Sequence, residues 1–481
     1  MNFIDASKAN DHWDVVIVGT GFGSMFFAHK YLQNRPDDRV LFVELGDYKS
    51  WAWQVENRRN SDVPKSDVFT TKSHKPWDFT IGLGGSSNCW WGLTPRLHPS
   101  DFSIFTDTGA SVDWPLSYND LIPYFQEAEQ IMEIAGPDDI KRSFPGSGPY
   151  PQPAHRLTTV DEMIIAGGDP YHFAVPNARA STSSLSRNRC CSTAACNLCP
   201  VGAKFMGVND MKQLFAHPSV SICLNSRVTE IKTAGNVAQG IVFKHADETY
   251  EATGDLVVLG ANAIQSPFIL LRSGIGGHGV GRYLGEKLMA RVEVTLDGVD
   301  HFDGGTAATG VNLGLVENSN RAEYGAAAIF VENMFNAPGF RLEPGRWRQI
   351  LPLFIYVEDI LSEENGVFDE GGDLPVVRFG GFSDYCKKGL DAAMAYIPEM
   401  LKSVPFEEVK FLQNWPTLGH VQGSTRMGTS IENSVVDRDL VHHDIRNLVV
   451  VGTSVFPTTG SVNPTLTASA LSLRAAEMLM A

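Results

Sequence analysis

Two polar residues near the carboxyl terminus have side chains that could move a proton and orient a hydroxyl group. His420 lies in the segment G-H-V-Q-G-S-T-R-M-G, and Asn463 lies in V-N-P-T-L-T, just before a predicted helix at Pro464. A neutral imidazole is available at working pH because free histidine titrates near ~6.5. Structural roles remain open for both, since loop histidines are often hydrogen-bonded locally and asparagine before proline is a common helix N-cap.

A glycine-rich turn lies at the opposite end of the chain. The strand D-V-V-I-V runs into G-T-G-F-G-S, a helix follows, and a second strand ends at Glu44. In such a βαβ unit, Gly19 permits the tight turn and Gly21 lets the backbone approach a pyrophosphate at the helix N-terminus. Ser24 replaces the third glycine of the fingerprint and is small enough for helix–strand packing, while Glu44 is placed to hold a ribose hydroxyl. The unit predicts dinucleotide binding, with a purely structural turn as the alternative.

Four of the seven cysteines are grouped in the segment C-C-S-T-A-A-C-N-L-C-P, at Cys190, Cys191, Cys196 and Cys199. Counted from Cys191, the run C-x4-C-x2-C-P resembles iron–sulfur ligation, in which thiolates hold the cluster. Cys190 could replace Cys191 as the first ligand. A zinc or other structural site and a loop of free or paired thiols remain alternatives. The doublet His442 and His443 lacks the spacing of a metal site, which favours a structural or surface role.

The elements that must position these residues belong to a chain of 481 residues, long enough for two or three domains. A hydrophobic content of 43% and 45 glycines are typical of a globular α/β protein. The formal net charge of −16 argues against nucleic acid as a partner. No apolar run is long enough to cross a bilayer, and the amino terminus lacks a signal-peptide pattern. We therefore expect a cytoplasmic protein, and export bound to a signal-bearing partner stays compatible with the sequence.

Several further elements follow from the apolar patterning. We expect a helix from Trp114 to about Ile134, a hairpin of Val220–Lys232 with Val237–Lys244, a buried strand at Leu256–Leu259, and helices ending at Ser273 and spanning Leu390–Ser403. The region from Val292 to Val404 carries no motif that we can place, and we expect it to line a substrate pocket.

Six motifs, taken together, resemble those of the glucose–methanol–choline (GMC) flavin oxidoreductase superfamily. They are G-T-G-F-G-S at Gly19, G-G-S-S at Gly84, W-P-L-S-Y-N-D-L-I-P-Y-F at Trp114, G-A-N-A-I-Q-S-P at Gly260, H-V-Q-G-S-T-R-M-G at His420 and V-N-P-T-L-T at Val462. Within the superfamily, the chain is most similar to pyranose oxidases, C-glycoside 3-oxidases and flavin glucose dehydrogenase catalytic subunits.

The resemblance implies an α/β fold with a discontinuous Rossmann-like FAD-binding domain and an α+β substrate-binding domain with a mainly antiparallel sheet. The expected FAD domain comprises residues 1–100, 200–290 and 415–481, and the substrate domain comprises residues 101–199 and 291–414. The ADP half of FAD is expected on the glycine turn, the adenine near Val228, and the flavin ring against the Gly84–Asn88 loop and the carboxyl-terminal block. The expected cofactor-binding residues are Gly19, Gly21, Gly23, Ser24, Glu44, Gly84, Gly85, Ser86, Asn88, Cys89, Val228, Gly260, Thr453, Pro464 and Thr465.

The resemblance also implies oxidation of a secondary CH–OH group of a sugar or glycoside to a ketone, with hydride transfer to flavin N5. His420 is then the base and Asn463 the second member of the catalytic pair. The helix N-terminus at Pro464 would stabilise negative charge on the reduced flavin. Two alternatives stay open: an electron-transferring dehydrogenase subunit with an iron–sulfur cluster, and a non-redox lyase on the same fold.

Cys89 departs from the pattern of pyranose oxidases, whose G-G-x-S-x-H-W loop attaches FAD through its histidine. The loop here reads G-G-S-S-N-C-W, so we expect non-covalent FAD, with a thioether from Cys89 as the weaker alternative. Glucose dehydrogenase subunits carry a cysteine block similar to Cys190–Cys199, although their last spacing is one residue longer. The electron acceptor is therefore open between oxygen, a quinone and a partner protein, and a small partner subunit or a homo-oligomer is compatible with the sequence.

Overall fold

A computed structural model describes residues 1–318, 320–334, 345–417 and 419–480. The strands are β1 His12–Val18, β2 Val40–Val43, β3 Thr70–Thr71, β4 Ala135–Gly136, β5 Gln152–Pro153, β6 His172–Ala174, β7 Val220–Cys223, β8 Ser226–Ala234, β9 Val237–His245, β10 Glu248–Leu259, β11 Leu288–Leu296, β12 Ala308–Asn312, β13 Ala327–Glu332, β14 Ile350–Val357, β15 Gly366–Phe368, β16 Val376–Arg378, β17 Phe406–Pro416 and β18 Leu448–Val450. The α-helices are α1 Ala6–Ala9, α2 Phe22–Asn34, α3 Trp51–Asn57, α4 Ile104–Thr108, α5 Tyr118–Ile131, α6 Thr159–Ala166, α7 Gly207–Asp210, α8 Lys212–Phe215, α9 Asn262–Arg272, α10 Gly314–Glu317, α11 Asp384–Met400 and α12 Thr465–Met478.

The first large sheet has the strand order β7-β2-β1-β10-β9-β8, and β18 also pairs with β10. β7, β2, β1, the second half of β10 and β18 pair parallel with one another, which explains why their apolar runs are buried almost throughout. The first half of β10 pairs antiparallel with β9. Val18 pairs with both Val43 and Leu259, so the carboxyl ends of β1, β2 and β10 meet at one edge. The glycine turn after β1 therefore lies beside Glu44 and Gly260.

The predicted hairpin is only partly correct. β8 and β9 pair antiparallel as expected, but β7 pairs parallel with β2 and is not part of the hairpin. The two strands are separated at Leu224 and Asn225, and the φ of 53° at Asn225 lies in the left-handed region that asparagine tolerates. Sequence periodicity does not reveal this break because apolar residues continue on both sides of it.

The second large sheet is antiparallel throughout, with the order β17-β11-β14-β13-β12-β6. One of its faces packs on α6 and α11 and forms a separate apolar core that includes Ile329, Val331 and Ile355. Tyr356 and Phe330 lie on the opposite face, which packs toward the main core of the molecule. The two sheets confirm the predicted α/β class with a second, antiparallel sheet.

Helix boundaries differ from the predictions by a few residues because capping residues set them. α5 begins after Ser117, which forms a capping box with Asp120, rather than at Trp114. α11 begins after Ser383, whose side chain accepts from Cys386 N. No helix in the described ranges is long and apolar enough to span a lipid bilayer. The cellular location stays a prediction from the sequence.

Candidate active site

The glycine turn brings three distant segments into backbone contact. Gly19 has a φ of 85°, and a Cβ on it would lie 2.7 Å from Gly260 O. A Cβ on Gly23 would lie 2.6 Å from Gly452 N. Ser24 is fully buried against Gly260, which agrees with its predicted packing role. These contacts leave room for glycine alone at Gly19 and Gly23.

Gly21 differs from the neighbouring glycines because a Cβ there would meet no protein atom within 4 Å. Gly21 is also the N-cap of α2, which has no side-chain capping hydrogen bond and no acidic residue in its first turn. An uncapped helix N-terminus with open space before it suits an anionic group such as a pyrophosphate. The turn therefore fits the pyrophosphate of a dinucleotide.

Glu44 connects the glycine turn to the segment around Gly82. Its Oε2 accepts hydrogen bonds from Thr20 N at 3.1 Å and Thr20 Oγ1 at 2.7 Å. Its Oε1 accepts from Gly46 N at 3.0 Å and Gly82 N at 3.1 Å. Burial raises the pKa of Glu44, although these four donors oppose that effect. Glu44 thus orders the turn, and its contact with a ribose stays a prediction.

A cavity of about 380 Å³ lies beside this edge of the sheet. Its lining includes Leu45 and Asp47, which directly follow Glu44, and Arg227, which precedes Val228. Val228 itself is buried in β8. The cavity is thus placed next to the two positions predicted to hold the ribose and the adenine.

The Gly84–Asn88 loop packs directly on the glycine turn. Gly84 and Gly85 have φ values of 85° and 51°, and a Cβ on Gly85 would lie 2.9 Å from Gly21 Cα. A single 3₁₀ turn spans Gly85–Ser87. Asn88 Nδ2 closes the loop by donating to Leu83 O at 2.9 Å, and Ser86 Oγ accepts from Thr80 N at 3.4 Å. The structure therefore brings the two predicted cofactor loops together.

Cys89 follows this loop, and its Sγ lies 3.7 Å from Ser86 O. Burial raises the pKa of the Cys89 thiol. Because the thiolate is the reactive form of cysteine, a thiol held protonated is a poor nucleophile. The environment of Cys89 therefore disfavours a thioether bond.

His420 and Asn463 are in direct contact, although 43 residues separate them in sequence. Asn463 Nδ2 lies 3.0 Å from His420 Nε2. The Tyr356 ring on β14 packs edge-on against the imidazole, with centroids 5.5 Å apart. In the described part of the chain, His420 Nδ1 and Asn463 Oδ1 have no hydrogen-bond partner. With the amide placed so, Nε2 is the acceptor nitrogen of a neutral imidazole.

Two buried lysines lie close enough to the imidazole for their charges to act on it. Lys287 Nζ donates to Thr459 O and, at 2.9 Å, to Gly460 O. Lys75 Nζ lies 3.1 Å from the buried carboxylate of Glu286 and 3.4 Å from the Trp77 ring centroid. Burial, followed by the charges of Lys287 and then Lys75, lowers the pKa of His420 to about 3. The ring is therefore neutral across the physiological pH range.

The last helix, α12, begins one residue later than predicted. Pro464 is its N-cap, and no side chain caps the helix. The alternative role of Asn463 as the N-cap is therefore wrong, because its side chain bonds His420 instead. Thr465 is the first helical residue, and Thr453 Oγ1 donates to Val421 O at 2.6 Å beside His420. The N-terminus of α12 thus lies next to the histidine–asparagine pair.

The cysteine segment is linked to the Gly84–Asn88 loop through Lys204, and it forms no metal site among the described residues. Cys190 lies 3.5 Å from Thr306 Oγ1, Cys191 is exposed, and Cys196 and Cys199 are buried. Within the described residues, no group of three or more Cys, His, Asp or Glu side chains could hold a metal ion. The iron–sulfur cluster stays a prediction that the geometry does not support.

Lys204 joins the cysteine segment to the predicted flavin loop. Its buried Nζ donates to Asn88 O at 2.9 Å, Trp90 O at 2.9 Å and Cys196 O at 2.8 Å. Burial lowers the pKa of Lys204 to about 8. His442 and His443, by contrast, make local contacts: His442 Nδ1 accepts from two backbone amides of its own turn, and His443 Nε2 contacts Ser434 Oγ.

Sequence reasoning missed Lys75, Lys287, Tyr356, Lys204 and Gly452. Tyr356 and Lys287 come from regions without a motif, and only the tertiary fold brings them near His420. Gly452 follows the apolar run N-L-V-V-V, so the rule of a glycine after a parallel strand could have identified it.

Comparisons with known proteins identify the family of this fold. Two family models, both described as GMC oxidoreductase, match residues 77–292 and 386–472. The chain is 26% identical to the fructose dehydrogenase large subunit of Gluconobacter japonicus, over 97% of each chain. It is 29% identical to a C-glycoside 3-oxidase of Arthrobacter globiformis, over 55% of this chain and 54% of the relative.

A solved structure of formate oxidase from Aspergillus oryzae shares the fold, with a TM-score of 0.69 and 17% identity over 98% of each chain. The two family models together span more than half of the chain, and GMC proteins bind FAD. The chain belongs to the GMC oxidoreductase family, whose members act as oxidases and dehydrogenases on CH–OH donors.

Proposed function

We propose that this protein oxidises a secondary CH–OH group of a sugar or glycoside to a ketone, with FAD as its cofactor. The observation that carries the proposal is the 3.0 Å contact between His420 Nε2 and Asn463 Nδ2, beside an uncapped helix N-terminus. The names of two relatives, a fructose dehydrogenase subunit and a C-glycoside 3-oxidase, support the substrate class.

A substrate hydroxyl group is complementary to the histidine–asparagine pair. A bound hydroxyl can take the place of the direct contact between the two side chains: it donates its hydrogen to the freed lone pair of His420 Nε2 and accepts a hydrogen bond from Asn463 Nδ2. His420 then takes the hydroxyl proton as the C–O bond becomes a carbonyl, which is general-base catalysis. The charges of Lys287 and Lys75 disfavour protonation of the imidazole before the substrate binds. FAD, when bound, supplies the acceptor for the hydride.

The residues proposed to hold FAD fit the group. The open space at Gly21 suits the pyrophosphate, the cavity beside Glu44 and Val228 suits the adenosine, and the N-terminus of α12 offers about +0.5 charge to an anionic ring. Our proposed binding residues are Gly19, Gly21, Gly23, Ser24, Glu44, Gly84, Gly85, Ser86, Asn88, Cys89, Val228, Gly260, Thr453, Pro464 and Thr465. The raised pKa of the partly buried Cys89 thiol supports non-covalent attachment.

A second candidate is an electron-transferring subunit of a larger dehydrogenase. Lys204 bonds the cysteine segment to the loop proposed to hold the flavin, and one relative is named as a large subunit. The thiols of the Cys190–Cys199 segment would then lie close to the flavin. Oxygen or a quinone is the acceptor if this segment is only structural. We also propose the domain division predicted from the sequence, with each large sheet at the centre of one domain.

The test is anaerobic mixing of the purified, FAD-loaded protein with a panel of sugars and glycosides, followed through the yellow flavin absorbance. His420→Ala should bind FAD and slow bleaching by ~10² or more, because a positioned base contributes that much. His443→Ala is the matched control and should bleach at the wild-type rate, since its contact is with Ser434. Equal rates in wild type and His420→Ala would refute the catalytic role, and a wild type that no sugar bleaches would refute the substrate class.

A further inference from the structure

Glu332 ends β13 on the face of the antiparallel sheet that carries Tyr356. Ala328 pairs with Tyr356, and Phe330 pairs with Phe354. Because side chains alternate between the faces of a strand, Glu332 shares its face with Ala328, Phe330 and Tyr356. Tyr356 in turn packs on the His420 ring. The Glu332 side chain therefore projects from the sheet face that the proposed catalytic base contacts.

The Glu332 carboxyl is buried, and its Oε2 accepts no hydrogen bond from the described residues. The residue is 2% exposed. Burial raises the pKa of Glu332 to about 8, opposed by the guanidinium groups of Arg179 and Arg291. A buried polar atom left without a partner costs stability, so such atoms call for an explanation.

The neighbours of Glu332 have fixed positions. Arg179 is held by Thr306 Oγ1 at 2.7 Å and by the backbone of Trp91 and Ala308. Trp91 lies two residues beyond Cys89, so Arg179 stands between the proposed flavin loop and the sheet. The negative charge of Glu332 also raises the pKa of Tyr356, after burial, which places the carboxyl near the phenol.

The distance along the strand indicates what could reach Glu332. Four residues separate Ala328, opposite Tyr356, from Glu332, which is about 14 Å along the backbone at ~3.4 Å per residue. The gap between the carboxyl and the Tyr356 phenol is shorter, because the charge of Glu332 acts on that phenol. A mono-alcohol reacting at His420 has no second hydroxyl to place along this face. A sugar or glycoside carries hydroxyl groups away from the reacting carbon, and a hydroxyl can donate to a carboxyl oxygen.

We infer that Glu332 binds a hydroxyl group of the substrate remote from the reacting carbon, so that the site selects polyhydroxylated substrates over simple alcohols. The inference rests on the proposed function and names a specificity residue for it. A site built to bond a hydroxyl rejects analogues that lack it, because its buried polar group is then left unpaired. His420 and Asn463 hold the reacting end of the substrate, and Glu332 holds the other end.

The test measures anaerobic flavin reduction by wild type, Glu332→Gln and Glu332→Leu. The substrates are D-fructose, D-glucose and phenyl β-D-glucoside, with cyclohexanol as the alcohol that lacks remote hydroxyls. Glu332→Leu should raise the apparent Kd for the best sugar by about tenfold or more and change the limiting reduction rate little. Glu332→Gln should restore most of the affinity, and cyclohexanol should reduce all variants alike. The exposed Glu323→Leu, just before β13, is the matched control.

Two outcomes overturn the inference alone: an unchanged Kd for sugars in Glu332→Leu, or an equal loss with cyclohexanol, which marks a structural role. A wild type reduced by cyclohexanol but by none of the sugars overturns the proposed function and the inference together. If Glu332→Leu does not fold, mono-deoxy analogues of the best sugar test the wild type directly. One deoxygenation should raise the Kd about tenfold without slowing the limiting rate, and its additional effect should shrink in Glu332→Ala, which removes the acceptor. The absence of such a position overturns the inference.

Discussion

Acidification should leave the proposed catalytic base active. The pKa of His420 is lowered from 6.5 to about 3, a change of about 3.5 units or roughly 5 kcal/mol against protonation at ~1.36 kcal/mol per unit. An ordinary histidine is only about 3% neutral at pH 5, whereas a group with a pKa near 3 is about 99% neutral. The rate of flavin reduction should therefore stay constant within a factor of about two between pH 8 and pH 5.

The assay is single-turnover flavin reduction under anaerobic conditions, at saturating sugar, in buffers of constant ionic strength. A rate that falls about tenfold per pH unit below ~6.5 would show an ordinary histidine and refute the reasoning. Replacing Lys287 by Met provides the companion measurement. This change removes the charge that has the larger effect on the pKa of His420, so the acidic limb of the pH–rate profile should move to higher pH.

The same pKa shift predicts a loss of stability at the pH values where activity persists. The folded pKa of His420 lies below the unfolded value, so the unfolded state binds more protons between about pH 3 and pH 6.5. The contribution of neutral His420 to the free energy of unfolding is complete above pH 6.5 and is about 2 kcal/mol smaller at pH 5. Glu332 acts in the opposite sense, because its pKa is raised and its contribution falls as pH rises toward 8. The difference in unfolding free energy between wild type and His420→Gln isolates the histidine, and a difference that does not change with pH would contradict the shift.

Four further outcomes are expected. Asn463→Ala should slow flavin reduction by about tenfold or more through loss of its hydrogen bond, measured in the same assay with FAD content as the control. Gly23→Ala should lower the melting temperature of the FAD-free protein because its Cβ collides with Gly452 N, whereas the matched Gly21→Ala should keep that temperature and weaken FAD binding by about tenfold. Lys204→Met should cost about 3 kcal/mol of stability by leaving three carbonyls, two of them in buried contacts, without their donor, and an unchanged denaturation midpoint would contradict this. Acid denaturation should release FAD into solution in wild type and Cys89→Ser alike; flavin that stays with the wild-type chain alone would show a thioether.

The sequence predicted the glycine turn and the adjoining strands because both depend on local patterning, whereas the histidine–asparagine pair was predicted from the resemblance of its two motifs to those of a known family. Gly19, Gly21 and Ser24 act through backbone geometry that the motif itself encodes. Glu332 and Lys287 could not be predicted, since their roles depend on strand register and on packing between segments far apart in the chain. The cysteine segment is the opposite case. Its spacing suggested ligation of an iron–sulfur cluster, but the position of Cys196 depends on hydrogen bonds from Lys204 and Arg179, which lie outside the motif.

The close contacts of the glycine turn also constrain when the site can form during synthesis. Gly19 meets Gly260, Gly23 meets Gly452, and β10 lies between β1 and β18. The amino-terminal βαβ unit is made first, but its partners emerge from the ribosome more than two hundred and more than four hundred residues later. Contacts so distant in sequence are slow to form and leave apolar surface exposed meanwhile. We therefore expect the nascent chain to need chaperone protection until β18 is released, and FAD to bind only after translation is nearly complete.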